Sequence, residues 1–374
     1  MADMIRLGDV ATYINGFPFK PEDRGNVGLP IIRIQDLTGN AYDLGFYDGE
    51  YPSRIEINDG DILISWSGSL GVYVWNRGKA LLNQHIFKVV FDKATINKDY
   101  YVFAVRYKLR EMENMTHGAT MKHIVKGDFD NTLIPFPSLS QQEDIARILL
   151  SVASVIERRN CQLRALDQLI KARFVEMFGE PHRSKIYPYL KVSELTDVVS
   201  GGTPDRKNAD YWNEGTIPWI KTTELQNNVI TVVEERITEK GLSESSAKII
   251  PANTVLIAMY GQGKTRGMTG FLGIEACTNQ ACACLLPTND INMQYLWHYL
   301  ILSYDELRGL AQGGNQPNLN AGMIKDFPIL VPPTEMQKQF VSFVSQVDKS
   351  KLTIQASLDQ LETLKQSLMQ KYFG

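Results

Sequence analysis

Leu166-Asp167-Gln168-Leu169-Ile170-Lys171-Ala172-Arg173-Phe174-Val175-Glu176-Met177-Phe178-Gly179 closes one amphipathic run. A second run closes on Leu361-Glu362-Thr363-Leu364-Lys365-Gln366-Ser367-Leu368-Met369-Gln370-Lys371-Tyr372-Phe373-Gly374, 195 residues later. At that spacing Ile145, Leu149, Val152, Leu163 and Leu166 fall on Phe340, Val344, Val347, Leu358 and Leu361. Self-similarity at so long a period is not a solenoid; it marks two copies of a whole domain plus a helix. A duplicated protein of this kind is expected to meet something that is itself in two parts.

Each run carries its apolar residues at alternating steps of three and four. Ile145, Leu149, Val152, Ile156, Leu163, Leu166, Ile170 and Met177 form the first stripe, with Arg159 interrupting. Phe340, Val344, Val347, Ile354, Leu358, Leu361, Leu368 and Tyr372 form the second, with Lys351 and Lys365 interrupting. The period is that of a coiled-coil seam. Ser140-Gln141-Gln142-Glu143 and Thr334-Glu335-Met336-Gln337 fit capping boxes at the helix starts. Gly179 ends the first helix and Pro181 blocks its resumption. A helix of about 33 residues is about 50 Å long, and a stripe of that length needs a partner of matching length. The chain supplies one, so the two helices are expected to pack antiparallel, bringing Phe373-Gly374 near the N-terminus. The alternative is that each stripe docks only on its own domain.

Other landmarks repeat in the same order. Leu29–Leu37 matches Ile217–Leu225, Asp61–Ile64 matches Thr254–Ile257, and Asn83-Gln84 matches Asn279-Gln280. Asn97, Tyr100, Gly118 and Pro137 match Asn292, Tyr295, Gly313 and Pro332. Short apolar runs bounded by Gly, Pro, Asn and Asp predict strands at 61–66, 71–75, 86–91 and 254–258. Helical spacing predicts helices over 99–110 and 292–310. The fold class is α+β: two similar mixed α/β domains, 1–139 and 180–333, and a pseudo-twofold pair of long antiparallel coiled-coil helices, 140–179 and 334–374.

Apolar content of 44% and charged content of 22% suit a soluble globular chain of 374 residues. No run approaches the roughly 18 apolar residues of a membrane span, and no signal peptide is evident, so a cytoplasmic location is expected. Cys161, Cys277, Cys282 and Cys284 show neither zinc spacing nor a C-x-x-C pair, and are expected to be buried reduced thiols. The net charge of −3 gives no bulk support for nucleic-acid binding.

Catalytic motifs fail on inspection. Ala258-Met259-Tyr260-Gly261-Gln262-Gly263-Lys264-Thr265 fits a relaxed P-loop, but such a loop must open a helix. Gly267, Gly270 and Gly273 follow instead. There is no Gly-x-Gly turn or Asn-Pro-Pro-Tyr element for methyl transfer, and His85, His117, His123, His182 and His298 are scattered. No catalytic residue, metal site or cofactor is expected. What remains is polar, glycine-hinged loops in the same slots of both halves with different side chains, as two readers of different words would have. Such residues pair with base edges and phosphates. The candidates are Arg33, Gln35, Ser67, Ser69, Lys122 and His123 in the first half. In the second they are Lys221, Thr222, Gln262, Lys264, Thr265, Arg266, Asn315, Gln316 and Asn318.

Ser200-Gly201-Gly202-Thr203-Pro204-Asp205-Arg206-Lys207-Asn208, Tyr211-Trp212 and Ile217-Pro218-Trp219-Ile220 form one distinctive block. Gly313-Gly314-Asn315-Gln316-Pro317-Asn318-Leu319-Asn320, followed by Ile329–Pro333 and the helix, forms another. With these blocks the whole chain resembles the specificity subunit of type I restriction–modification systems. The first half departs from the pattern, offering Gly118-Ala119-Thr120-Met121-Lys122. The resemblance implies two target-recognition domains, each reading half of a split DNA site in the major groove. It implies paired helices that fix the spacer and hold two modification subunits, which bind adenosylmethionine and methylate adenine. It also implies, where the system cuts DNA, restriction subunits with translocase and nuclease activity. The chain itself would be non-catalytic. Two other readings are a protein–protein adaptor that does not touch DNA and an ATPase using Lys264.

Overall fold

The computed structural model describes residues 3–40, 43–115, 124–261, 263–311 and 318–374. The chain forms two compact units, Met1–Asn160 with Gln355–Gly374, and Cys161–Ile354.

In the first unit the main sheet has the strand order Thr12–Asn15, Ile86–Val90, Ile62–Ser65, Gly71–Val74, all antiparallel. In the second unit the order is Val198–Ser200, Cys282–Leu285, Val255–Ala258, Thr269–Leu272, with Asn228–Ile230 added in parallel at the edge. The sequence reads these central strands as unbroken apolar runs because both faces are covered. Ile62 and Ile64 enter one core and Leu63 another; Val255 and Ile257 enter one and Leu256 and Ala258 another. A second small sheet in each unit contains one parallel pair, Leu29–Ile32 with Ala80–Leu82 and Ile217–Ile220 with Cys277–Thr278. A ribbon of Met4–Arg6 with Leu133–Pro135, and of Tyr189–Lys191 with Pro328–Leu330, closes each unit. The strands expected at 61–66, 71–75, 86–91 and 254–258 are all present within a residue or so of those bounds.

The two long helices are Leu139–Phe178 and Thr334–Phe373. No residue of either apolar stripe is exposed. Within the second unit Phe174 meets Phe340 at 5.5 Å between ring centroids, and Lys351 pairs with Asp167, so these two helical segments run antiparallel. Within the first unit Ala146, Leu149 and Phe373 share one core with Leu368 and Tyr372. Phe373 also packs on Tyr100, whose hydroxyl donates to the Pro135 carbonyl, and Pro135 pairs with Met4.

One polar clamp is built twice. Gln142 is buried; it accepts from the Asn97 N–H (2.9 Å) and donates to the Pro137 carbonyl (2.9 Å). Gln337 is buried; it accepts from the Asn292 N–H (2.9 Å) and donates to the Pro332 carbonyl (2.8 Å). Asn97 and Asn292 in turn cap the helices that follow them. Tyr100 donates to Pro135, Tyr295 donates to Leu330, and each tyrosine packs on the terminal phenylalanine of a long helix, Phe373 or Phe178.

Several expectations need correction. The first capping box lies two residues earlier than Ser140–Glu143: Ser138 and Gln141 exchange the reciprocal bonds. The second box does not form, because Thr334 is already helical and Gln337 is turned inward to Asn292 and Pro332. The helix expected over 99–110 runs Lys98–Met115. The one expected over 292–310 is two helices, Met293–Leu302 and Tyr304–Gly309. They meet at buried Ser303, whose hydroxyl bonds His182 Nε2 at 2.9 Å. Cys277, Cys282 and Cys284 are buried thiols, but Cys161 is exposed on the first long helix. Burial pushes the Cys277 and Cys284 thiols up to about 11.

Candidate nucleic-acid interface

One end of each unit gathers its loops by the same set of backbone hydrogen bonds. In the first unit Phe17 N–H bonds Leu82 O, Asn83 N–H bonds Ile32 O, Trp66 N–H bonds His85 O, and Ile124 N–H bonds Trp66 O. In the second unit Gly202 N–H bonds Thr278 O, Asn279 N–H bonds Ile220 O, Met259 N–H bonds Ala281 O, and Leu319 N–H bonds Met259 O. Each bond of one set has its counterpart in the other. The rim so formed therefore joins, in each unit, the strand-end loop after the first sheet strand, the Arg33 or Lys221 turn, the central hairpin, the Asn-Gln turn and the segment before the last short helix.

Three glycines at this rim are there for close approach. A Cβ on Gly16 would lie 2.0 Å from the Asn83 carbonyl oxygen, and one on Gly201 would lie 2.1 Å from the Thr278 carbonyl oxygen. In the second unit a Cβ on Gly202 would lie 2.3 Å from the Ser246 backbone. The two glycines of the Gly-Gly-Thr-Pro block are thus explained by packing before any ligand is considered. Arg206 of the same block stacks on Trp212 (3.8 Å) and Trp219 (4.5 Å) and pairs with Glu235. Trp219 donates to the Gly202 carbonyl at 2.9 Å.

The sequence candidates occupy this rim in different ways. Arg33 and Lys221 hold equivalent positions and are both ion-paired inside their own unit. Arg33 binds Asp36 (3.1 Å) and faces Asp43 (3.6 Å). Lys221 binds Glu234 (2.8 Å) and Glu235 (2.9 Å), and those hydrogen bonds push its ammonium up to about 12. Either would have to exchange a carboxylate for a phosphate. Gln35 and Ser69 are exposed, Thr222 is half-buried, and Ser67 is buried.

Lys264, Thr265 and Arg266 sit in the hairpin joining Val255–Ala258 to Thr269–Leu272. No helix follows Lys264-Thr265, so the segment lacks P-loop geometry. Gly263 and Gly267 take positive φ, 59° and 83°, which lets the hairpin turn. Tyr304 donates to the Lys264 carbonyl (2.7 Å) and Arg308 to the Arg266 carbonyl (2.8 Å), fixing the backbone while the Lys264 side chain stays exposed. Asn318 is half-buried beside Leu319, which is pinned to Met259 at the hairpin base. Gln262, Asn315, Gln316, Lys122 and His123 lie outside the described residues.

The Asn83-Gln84 and Asn279-Gln280 turns, which recur in the sequence as landmarks, also lie on this rim. Their recurrence was the available signal. Among the described residues no cluster of three or more His, Cys, Asp or Glu could hold a metal. No helix is long and apolar enough to cross a membrane, among those same residues.

Two copies of one family model, described as the type I restriction modification DNA specificity domain, match residues 2–165 and 189–363. The chain is 29% identical over 170 residues to the EcoBI specificity subunit of Escherichia coli, covering 45% of this chain and 35% of that protein. It is 24% identical over 249 residues to a second Escherichia coli specificity subunit, covering 64% and 59%. These matches span about a third and somewhat over half of the relatives' own length. With the MjaVIII specificity subunit of Methanocaldococcus jannaschii it is 22% identical over 407 residues, covering 98% and 91%. In three dimensions it is similar to the S subunit of a type I restriction–modification system from M. genitalium, at 14% identity and a TM-score of 0.56, covering 100% and 96%. At those identities the structural likeness speaks to fold, while the two family matches speak to descent. The chain belongs to the family of type I restriction modification DNA specificity domains, and carries two of them.

Proposed function

We propose that this chain is the non-catalytic, DNA-reading subunit of a type I restriction–modification enzyme. Residues 1–139 and 180–333 are its two target-recognition domains, and each reads one half of a bipartite site through its rim. The helices 140–179 and 334–374 pair as an antiparallel, pseudo-twofold coiled coil that sets the spacer. They hold two modification subunits, and restriction subunits where the system cuts DNA. It works in the cytoplasm and needs no cofactor of its own. The observation that carries this reading is the doubled rim: the same hydrogen-bond set collects the variable loops in both units. The near-neutral charge fits a reader whose partners close on the duplex and share the phosphate contacts.

The chain, co-expressed with its methyltransferase subunits, should direct methylation to a two-part motif with a fixed spacer, as read by methylome sequencing. Lys264→Ala should weaken binding of the assembled enzyme by roughly 1–3 kcal/mol, with the loss confined to one half-site. Equal weakening on unrelated DNA would remove Lys264 from base reading. Absence of any two-part motif would remove the function.

A further inference from the structure

The rim is where the two units diverge, yet the Asn-Gln turn is the same in both. Gln84 and Gln280 follow Asn83 and Asn279, whose N–H groups bond Ile32 O and Ile220 O. The turn's backbone geometry therefore accounts for its path without the glutamine side chains. The asparagine has a local use in the first unit, where Asn83 Oδ1 accepts from the Gln84 N–H at 2.8 Å. The carboxamides have no shared structural use. Among the described residues Gln84 makes no side-chain hydrogen bond and is half-buried. Gln280 is exposed, and its Oε1 accepts from the Thr203 hydroxyl. That bond orients the Gln280 amide and leaves both N–H donors and one oxygen lone pair for a ligand.

A side chain retained at one place in two diverged readers, without a common internal partner, points to something common to the two things read. The DNA backbone is common, but its charge is met by lysine and arginine, which release counterions, whereas a neutral carboxamide releases none. A carboxamide is instead matched to one base edge: glutamine pairs in a bidentate manner with N6 and N7 of adenine. Resting on the function proposed above, we propose that Gln84 and Gln280 are specificity-determining residues that each read an adenine, one in each half-site. The two half-sites then differ elsewhere but share this base.

The test uses the complex of this chain with its methyltransferase subunits and the two-part motif it directs. Gln280→Leu should relax discrimination on the order of ten-fold at one adenine of one half-site, and Gln84→Leu at one adenine of the other. Wild-type complex should lose affinity by a similar factor when that adenine is replaced by 7-deazaadenine, which lacks the N7 acceptor. The Leu variant should lose nothing further. The 7-deazaadenine arm needs no variant and so is independent of folding. Relaxation at a base other than adenine, or uniform weakening on all DNA with a changed salt slope, would overturn the inference while leaving the reader function intact. So would no change at all. A wild-type complex with no two-part motif would instead bring down the function on which it rests.

Discussion

The two ends of each unit obey different rules. At the helix-docking end, Gln142 and Gln337 make the same bonds to equivalent partners, and Phe373 and Phe178 meet equivalent tyrosines. At the rim the backbone bonds match, but outside the Asn-Gln turn most side chains do not: the first unit has the short Ser67-Gly68-Ser69 hairpin where the second has Gly261 to Gly267. The difference follows from burial. A buried polar group must have each bond replaced in kind, so both copies keep it. Exposed loop residues can change at a cost of about half a kcal/mol or less, so the copies drift apart there.

The strongest way to break that comparison is to remove an aromatic anchor. Phe178 and Phe373 are 0% and 1% exposed, each the last residue of a 40-residue helix. Phe178→Ala and Phe373→Ala should each cost about 3–5 kcal/mol in urea unfolding. A loss below about 1 kcal/mol for one of them would mean the two docking ends are equivalent in outline alone.

Acid should separate the units. Where the first unit has buried Phe103, the second has His298, packed beside Trp297 and Phe340. Burial, aided by the Lys351 charge, lowers His298 from 6.5 to about 4. The folded state thus favours the neutral ring. Its contribution is complete above pH 6.5 and is lost as pH falls toward 4, up to about 3 kcal/mol. Unfolding of the second unit, followed by its own tryptophans, should show this loss, and His298→Phe should remove it. A variant as acid-sensitive as the parent would show that carboxylates elsewhere set the window.

Why the helices and central strands were legible while the clamp was not is a matter of pattern against partner. Apolar stripes and runs announce themselves because many residues repeat one spacing. Gln142 looked like part of a capping box because its neighbours Ser140 and Glu143 fit the template; its real partners, Asn97 and Pro137, are set by tertiary approach. Ser303 stands at a helix break and bonds His182, which lies 121 residues away. At the rim, sequence found the polar loops, but could not show that Arg33 and Lys221 are held by carboxylates of their own unit. Nor could it show that Gly201 and Gly202 answer to backbone crowding.

The clamp gives the finest probe of the comparison. Gln337→Leu leaves the Asn292 N–H and the Pro332 carbonyl without partners, at about 2 kcal/mol in total after some rewetting. Gln142→Leu should cost the first unit a similar amount. Gln337→Glu is more telling. The carboxylate keeps an acceptor for Asn292 but turns a second oxygen toward the Pro332 carbonyl, where the amide donated. Burial and that repulsion raise the carboxyl above its usual range, so the folded state binds the proton more tightly than the unfolded one. Stability of this variant should therefore rise as pH falls through the raised value, opposite in sign to the His298 effect in the same unit. If Gln337→Glu instead loses stability in acid like its parent, the amide is not the donor that ties the long helix to the proline turn.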